Sequence, residues 1–487
     1  MPFRPLARSQ RRLRIVLAST VLPSFMSVRK ASALAIAQLG AGAFFVAGDA
    51  RWVLGDAAFW FILAALLLSA MVRAVDIESW AVFIPGGPVG RARYAFGAGG
   101  ARLAAAASLT ERFLLAALAT VVVGHYVAGV AVTALAGWRL TGLLRAEDLA
   151  LALAAVLIGL LWIRARLGLD LSSTMIARGV WIGVGVLTLI VLWAAISLAR
   201  GAMPTSLLSP PFRLTTGPWP LDAIVTWLCG FCLVLPAVGG GDALPQGAHE
   251  LEPPRVQALR RVALTTVVFG LVVTTGGALL LPLLVPAGEQ AAWLNAPLAG
   301  LTQHLVASSL VRDVMAIALV AAAVMMLTPA AHAALEDADH ALRKLSIEGM
   351  LPSGLASLHT RLGTAARSID AAAAAAVLIV LVSGGRVSWL ARAYAVSLAV
   401  TVVLKAWALA RIRRRRTEPL AFKTPFNLQV GAREVPIGLN GVALLAGASA
   451  VAMLAIGDMP SITAMGLLGG LCLLLSLIHI SEPTRRS

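Results

Sequence analysis

Apolar runs of about twenty residues recur along the whole chain, and no other feature restricts its fold as much. Examples are 57–72 (AAFWFILAALLLSAMV), 180–198 (VWIGVGVLTLIVLWAAISL) and 263–284 (ALTTVVFGLVVTTGGALLLPLL). A bilayer core is crossed by about 20 residues of helix, so each run is long enough to span it. Backbone amides in lipid must be satisfied inside the segment, which leaves helices or a closed barrel. The alternation of apolar and polar positions that marks a barrel strand is absent. The fold class is therefore an all-α polytopic membrane protein. Composition agrees: 59% of the 487 residues are hydrophobic and 13% are charged, about half the charged share of a soluble domain.

The runs place spans near 32–48, 57–75, 104–134, 147–165, 173–198 and 221–244, then 262–286, 304–335, 370–386, 389–410, 437–457 and 460–474. Long connections fall at 76–103, 245–261, 336–369 and 411–436. A net charge of +17 raises the question of nucleic acid, but the arginines cluster at 4–14, 91–102, 255–261 and 411–416, between apolar runs. They lack the interleaved aromatics of a nucleic-acid surface. Basic residues on alternate connections orient helices, and one parity suits every loop when the N-terminus is cytoplasmic. Residues 1–31 then form a cytoplasmic tail and 32–474 the membrane domain of a bacterial-type inner membrane, its partner the lipid bilayer. The stretch 475–487 (LSLIHISEPTRRS) reads as a translated sequencing adapter, which would cut the last helix short.

Two runs carry glycine clusters: Gly40-Ala41-Gly42-Ala43 in the first and Gly239-Gly240-Gly241-Asp242 in the sixth. Glycine is a weak helix former and leaves backbone accessible, so a spanning helix is prone to unwind there. The clusters correspond if helices 1–5 and 6–10 are two repeats, and paired interruptions of this kind point to a transporter's midplane site. The expected site is Gly40, Ala41, Gly42, Gly239, Gly240 and Gly241, with Asp242 as a charged or proton-linked contact. Gly276-Gly277 in the seventh run reads as helix packing.

Gly40-Ala41-Gly42-Ala43-Phe44 resembles the G-S-G-I-F signature of the first helix in the amino acid–polyamine–organocation (APC) superfamily. Gly240-Gly241-Asp242-Ala243, followed by Ala248 to Arg255, is similar to that family's sixth helix and loop. Glu78 with Pro85-Gly86-Gly87, and Glu348-Gly349-Met350-Leu351-Pro352, resemble its motifs after helices 2 and 8. The resemblance implies a LeuT-like 5+5 inverted repeat with discontinuous helices 1 and 6, plus two further helices. It also implies ion-coupled symport of amino acids or related small organic solutes by alternating access. Departures are visible. Gly241 stands where an aromatic usually gates the site, Leu327-Thr328-Pro329 lacks the Ser/Thr pair of sodium-coupled members, and the fifth helix carries no lysine. Protons are then the favoured coupling ion. Potassium or other inorganic cation uptake is one alternative. A transport-defunct sensor or scaffold is another.

Other residues read as structural. Cys229, Cys232 and Cys472 lie inside apolar runs and behave as small hydrophobes. Glu78 is expected to pair with a loop arginine, Glu111 and Arg112 to make interfacial or interhelical contacts, His332 to pack, and Lys405 to snorkel to the surface. His249-Glu250 opens a zinc-protease pattern, but Pro253 takes the second histidine's place, so no metal site is expected. Nucleophile elbow, Walker loop and dinucleotide fingerprint are missing, so neither an enzyme nor a cofactor is expected.

Overall fold

The computed structural model describes residues 25–82, 84, 87–135, 145–169, 172–200, 220–240, 244, 248–359, 363–416, 420–430 and 433–481. Among them, ten helices are long and apolar enough to cross a membrane. The first and sixth runs are interrupted. The first divides into α1 (Val28–Leu39), a 3-10 turn (Ala41–Phe44) and α2 (Val46–Leu54). The sixth is α7 (Pro220–Val234) extended by a 3-10 turn (Leu235–Val238). Between them run α3 (Ala58–Ala81), α4 (Gly87–Leu135), α5 (Ala146–Arg166) and α6 (Ser173–Arg200).

The seventh run is α8 (Arg255–Phe269), a π-turn (Gly270–Thr274) and α9 (Thr275–Leu284). A short α10 (Pro297–Gln303) precedes α11 (Ser309–Ile347), α12 (Ala366–Ser383) and α13 (Val387–Arg415). A small hairpin, β1 (Leu428–Val430) against β2 (Arg433–Val435), leads to α14 (Ile437–Ala455) and α15 (Met459–Ser481).

Burial separates core from periphery. In α4, 78% of the apolar window is inside the protein, against 22% for α5 and α15; α4 is the central post, with α11 and α13 packed along it. The outer faces show Leu160, Leu378, Leu444 and Val451 more than half exposed. Apolar exposure on that scale suits lipid and not water.

Two expected connections are largely helical. The stretch assigned to the 76–103 connection continues α3 to Ala81 and opens α4 at Gly87, with the turn taken at Gly97 (φ 78°), which no residue but glycine adopts easily. The expected 336–369 connection is helical to Ile347, because Ala-Leu-Arg-Lys are strong helix formers with or without a bilayer around them. Hydropathy marks where lipid ends, while propensity decides where the helix ends.

Candidate functional site

The two interruptions touch. A Cβ at Gly42 would stand 2.6 Å from the Pro236 carbonyl oxygen and 2.9 Å from the Ala237 Cα; one at Gly239 would stand 2.4 Å from the Leu39 oxygen. Only glycine allows backbones this close. Gly239 also has φ 70°, a left-handed conformation that ends the 3-10 turn. On the other side of the first break, Phe44 stacks edge-on against Tyr126, whose hydroxyl donates 2.7 Å to the Phe44 carbonyl. Gly40 lies under the Phe269 ring, just before the π-turn. A π-turn is a frequent mark of a functional kink.

The structure thus brings Gly40, Ala41 and Gly42 to Gly239 and Gly240, all buried except the partly exposed Gly40. Gly241 and Asp242 lie outside the described residues. Gly240 faces two polar groups: a Cβ there would meet Oε1 of Glu111 at 2.1 Å and the Tyr394 hydroxyl at 2.5 Å. A cavity of about 50 Å³ begins at Gly239 and Gly240 and runs between α3, α4 and α13 toward Arg91 and Lys405. That is the end of the bundle holding Arg255, Arg260 and the 411–416 run, called here the basic end.

Ionic groups fix α13 near both of its ends. At the basic end, Glu78 is fully buried, ion-paired with Arg413 of α13 (Nη2 to Oε2, 2.6 Å) and accepting from the Thr424 N–H at 2.8 Å. Asp76, also fully buried, accepts from Lys405 Nζ at 2.6 Å and lies 3.0 Å from Arg73. Arg73 Nη2 in turn donates to the carbonyls of Gly239 (2.9 Å) and Val238 (3.3 Å). At the opposite end, Arg392 of α13 binds Asp49 of α2 (3.2 Å) and Asp458 (3.5 Å).

Several sequence expectations need correction. Lys405 does not snorkel; Asp76 holds it inward, since a carboxylate at that depth must be paired. Of the two contacts expected for Glu111, interfacial or interhelical, the structure shows the interhelical one. Glu111 is 4% exposed and sits against the sixth-run break, because α4 begins 17 residues earlier than its apolar run and carries it inward. Arg112 does bridge helices, 3.6 Å from Asp337 of α11. Glu78 does pair with an arginine, at the end of α13. His332 sits 3.9 Å from Glu336 on the same helix. The residues not anticipated are Arg73, Asp76, Tyr394 and the Asp49–Arg392–Asp458 set. Arg73 had a readable signal: it directly follows the apolar run 57–72 and lies inside the expected span 57–75, where an ionisable residue is a functional candidate by default.

The arrangement is a buried crossing of two unwound segments with a narrow polar path on one side. It can hold a small solute against backbone amides and move when α13 or the half-helices move. A family model described as amino acid permease matches residues 26–473. No curated protein matches the chain. Among solved structures, crystal structures of two variants of an Eremococcus coleocola manganese transporter are similar. Each has a TM-score of 0.51 at 14% identity, over 95% of this chain and 95% of the other. At that identity the likeness shows the fold: an inverted-repeat, LeuT-type membrane bundle.

Proposed function

The chain belongs to the amino acid permease family, within the APC superfamily, and from that premise we propose that it moves amino acids or related small organic solutes across the membrane by alternating access, coupled to an ion. It is a multi-pass secondary transporter and not an enzyme. The finer reading rests on one observation, the direct contact of the Gly40–Gly42 and Gly239–Gly240 segments beside a buried polar path. Half-helix ends there offer N–H groups to a carboxylate. The basic end faces the cytoplasm in this reading, by the positive-inside bias, and the path leading to it is the inward route.

Protons are the proposed coupling ion, with Asp242 as the contact next to the solute and Glu111 as a second carboxylate on the same break. Protonation removes a buried charge, which costs several kcal/mol in hydrocarbon, so it can bias the inward–outward equilibrium. The test is counterflow of a radiolabelled amino-acid mixture into proteoliposomes. Wild type should accumulate label. Gly240→Leu, whose side chain would fill the space held by Glu111 and Tyr394, should lose it while eluting as folded protein. Full uptake by Gly240→Leu removes the site from this position.

A further inference from the structure

Arg73 is a buried charge that the transport reading leaves without a role. It is 2% exposed, near the end of an expected span, on a helix that neither breaks nor belongs to the crossing. Its position is set by the sixth-run break. α7 and its 3-10 extension end at Val238, and the last carbonyls of a helix have no partner within it and carry the negative end of its dipole. Two of these, on Val238 and Gly239, accept from Arg73 Nη2. Carbonyls at such a break are what a small inorganic cation would seek in an unwound membrane helix.

The rest of the guanidinium is incompletely used. Nη1 stands 3.0 Å from the Asp76 carboxylate as an ion pair, yet among the described residues neither it nor Nε has an acceptor in hydrogen-bonding geometry. Arg73 also borders both cavities at the crossing, the 50 Å³ path toward the basic end and a 10 Å³ pocket beside Gly40. The smaller is about the size of one water. Buried donors without acceptors are costly, and a bound anion satisfies them. Charged side chains of both signs border the path. Arg73, Arg91, Arg112 and Lys405 line the path, against Glu111 on the lining and Asp76 and Asp337 paired behind it.

We propose that Arg73 is a resident cation of the sixth-run break: it occupies the Val238 and Gly239 carbonyls in place of an inorganic cation and turns its remaining N–H groups to the carboxylate of an anionic or zwitterionic solute. The selection of solute rests on the permease reading; the exclusion of an inorganic cation does not. A guanidinium stays charged at any physiological pH, so the place is never vacated. Cationic solutes meet a like charge where the helices cross, and an anion or zwitterion meets donors.

The experiment has two arms on the full chain. In the first, saturable binding of radioactive sodium is measured on purified protein by scintillation proximity. Wild type and Arg73→Lys should bind none, and Arg73→Met, which leaves Asp76 and two carbonyls facing the vacated space, should gain it. If Arg73→Met does not elute as a single species, Arg73→Gln serves. Saturable sodium binding by wild type, or its absence in the folded neutral variant, overturns the resident-cation assignment. In the second arm, counterflow compares labelled L-glutamate, L-alanine and L-arginine. Wild type should carry the first two and not the third, and the neutral variant should lose that preference; uptake of L-arginine by wild type equal to that of L-alanine overturns the solute selection. Sodium results as expected with no amino acid moved by wild type would instead defeat the permease reading and leave Arg73's place intact.

Discussion

Removing Arg392 should loosen the end of the bundle opposite the basic one. Its guanidinium joins α2, the second half of the broken first span, to α13 and to the turn before α15, through Asp49 and Asp458. The two carboxylates are 5% and 8% exposed and the arginine 26%. Breaking a buried ion pair by deleting one partner costs about 3–5 kcal/mol. Because a quarter of the guanidinium reaches solvent, screening lowers that to about 2 kcal/mol for the arrangement holding α2 against α13. At 1.4 kcal/mol per tenfold, Arg392→Gln should raise the population with α2 released by roughly tenfold to thirtyfold. Ala50 is fully buried one residue beyond Asp49, so a cysteine there, in a background with Cys229, Cys232 and Cys472 replaced by alanine, reports the release. Its reaction with a membrane-impermeant maleimide should quicken by about tenfold in Arg392→Gln and stay near the parent rate in Arg392→Lys. An unchanged rate in Arg392→Gln would refute the idea that this ion set holds α2 against α13.

Further consequences concern the crossing and the basic end. Gly42→Val places a side chain against the backbone of Pro236 and Ala237, which cannot yield as a flexible side chain would. The strain should be about 1–3 kcal/mol, seen as a lower melting temperature together with loss of counterflow. Glu78→Gln removes the charge that binds Arg413 and the Thr424 backbone; it should lower the melting temperature and expose the 411–416 run to trypsin faster than in wild type. Gly97→Ala forces a Cβ into φ 78° with nothing nearby to clash. It should cost about 1–3 kcal/mol of backbone strain, read as a lower melting temperature, and leave counterflow intact.

The sequence carried the architecture because lipid imposes a simple rule on it: each run of about twenty apolar residues is a helix. It also carried the crossing, because backbones approaching within the distance seen at Gly42 and Gly239 exclude every side chain, and that exclusion is written as glycine. The ionic network was less legible. Asp76 and Lys405 sit 329 residues apart and pair only through the packing of α3 on α13, which no local pattern encodes. The interfacial alternative for Glu111 arises because the span begins at its apolar onset, at 104, while the helix itself starts at Gly87. Arg73 was visible as a charge within an expected span, but its partner, a pair of backbone carbonyls on another helix, has no side-chain signature. Charges that pair across helices need coordinates; glycines that admit another backbone do not.

Uptake under imposed gradients tests whether a solute is carried through the crossing at the expense of a proton gradient. Proteoliposomes loaded at neutral pH are diluted into acidic or neutral buffer, with sodium or choline, and the entry of a labelled amino-acid mixture is followed. Accumulation above equilibrium is expected only with the acidic exterior and equally in sodium and choline, and Asp242→Asn should retain exchange while losing accumulation. Uptake that requires sodium, or full accumulation by Asp242→Asn, would contradict proton coupling.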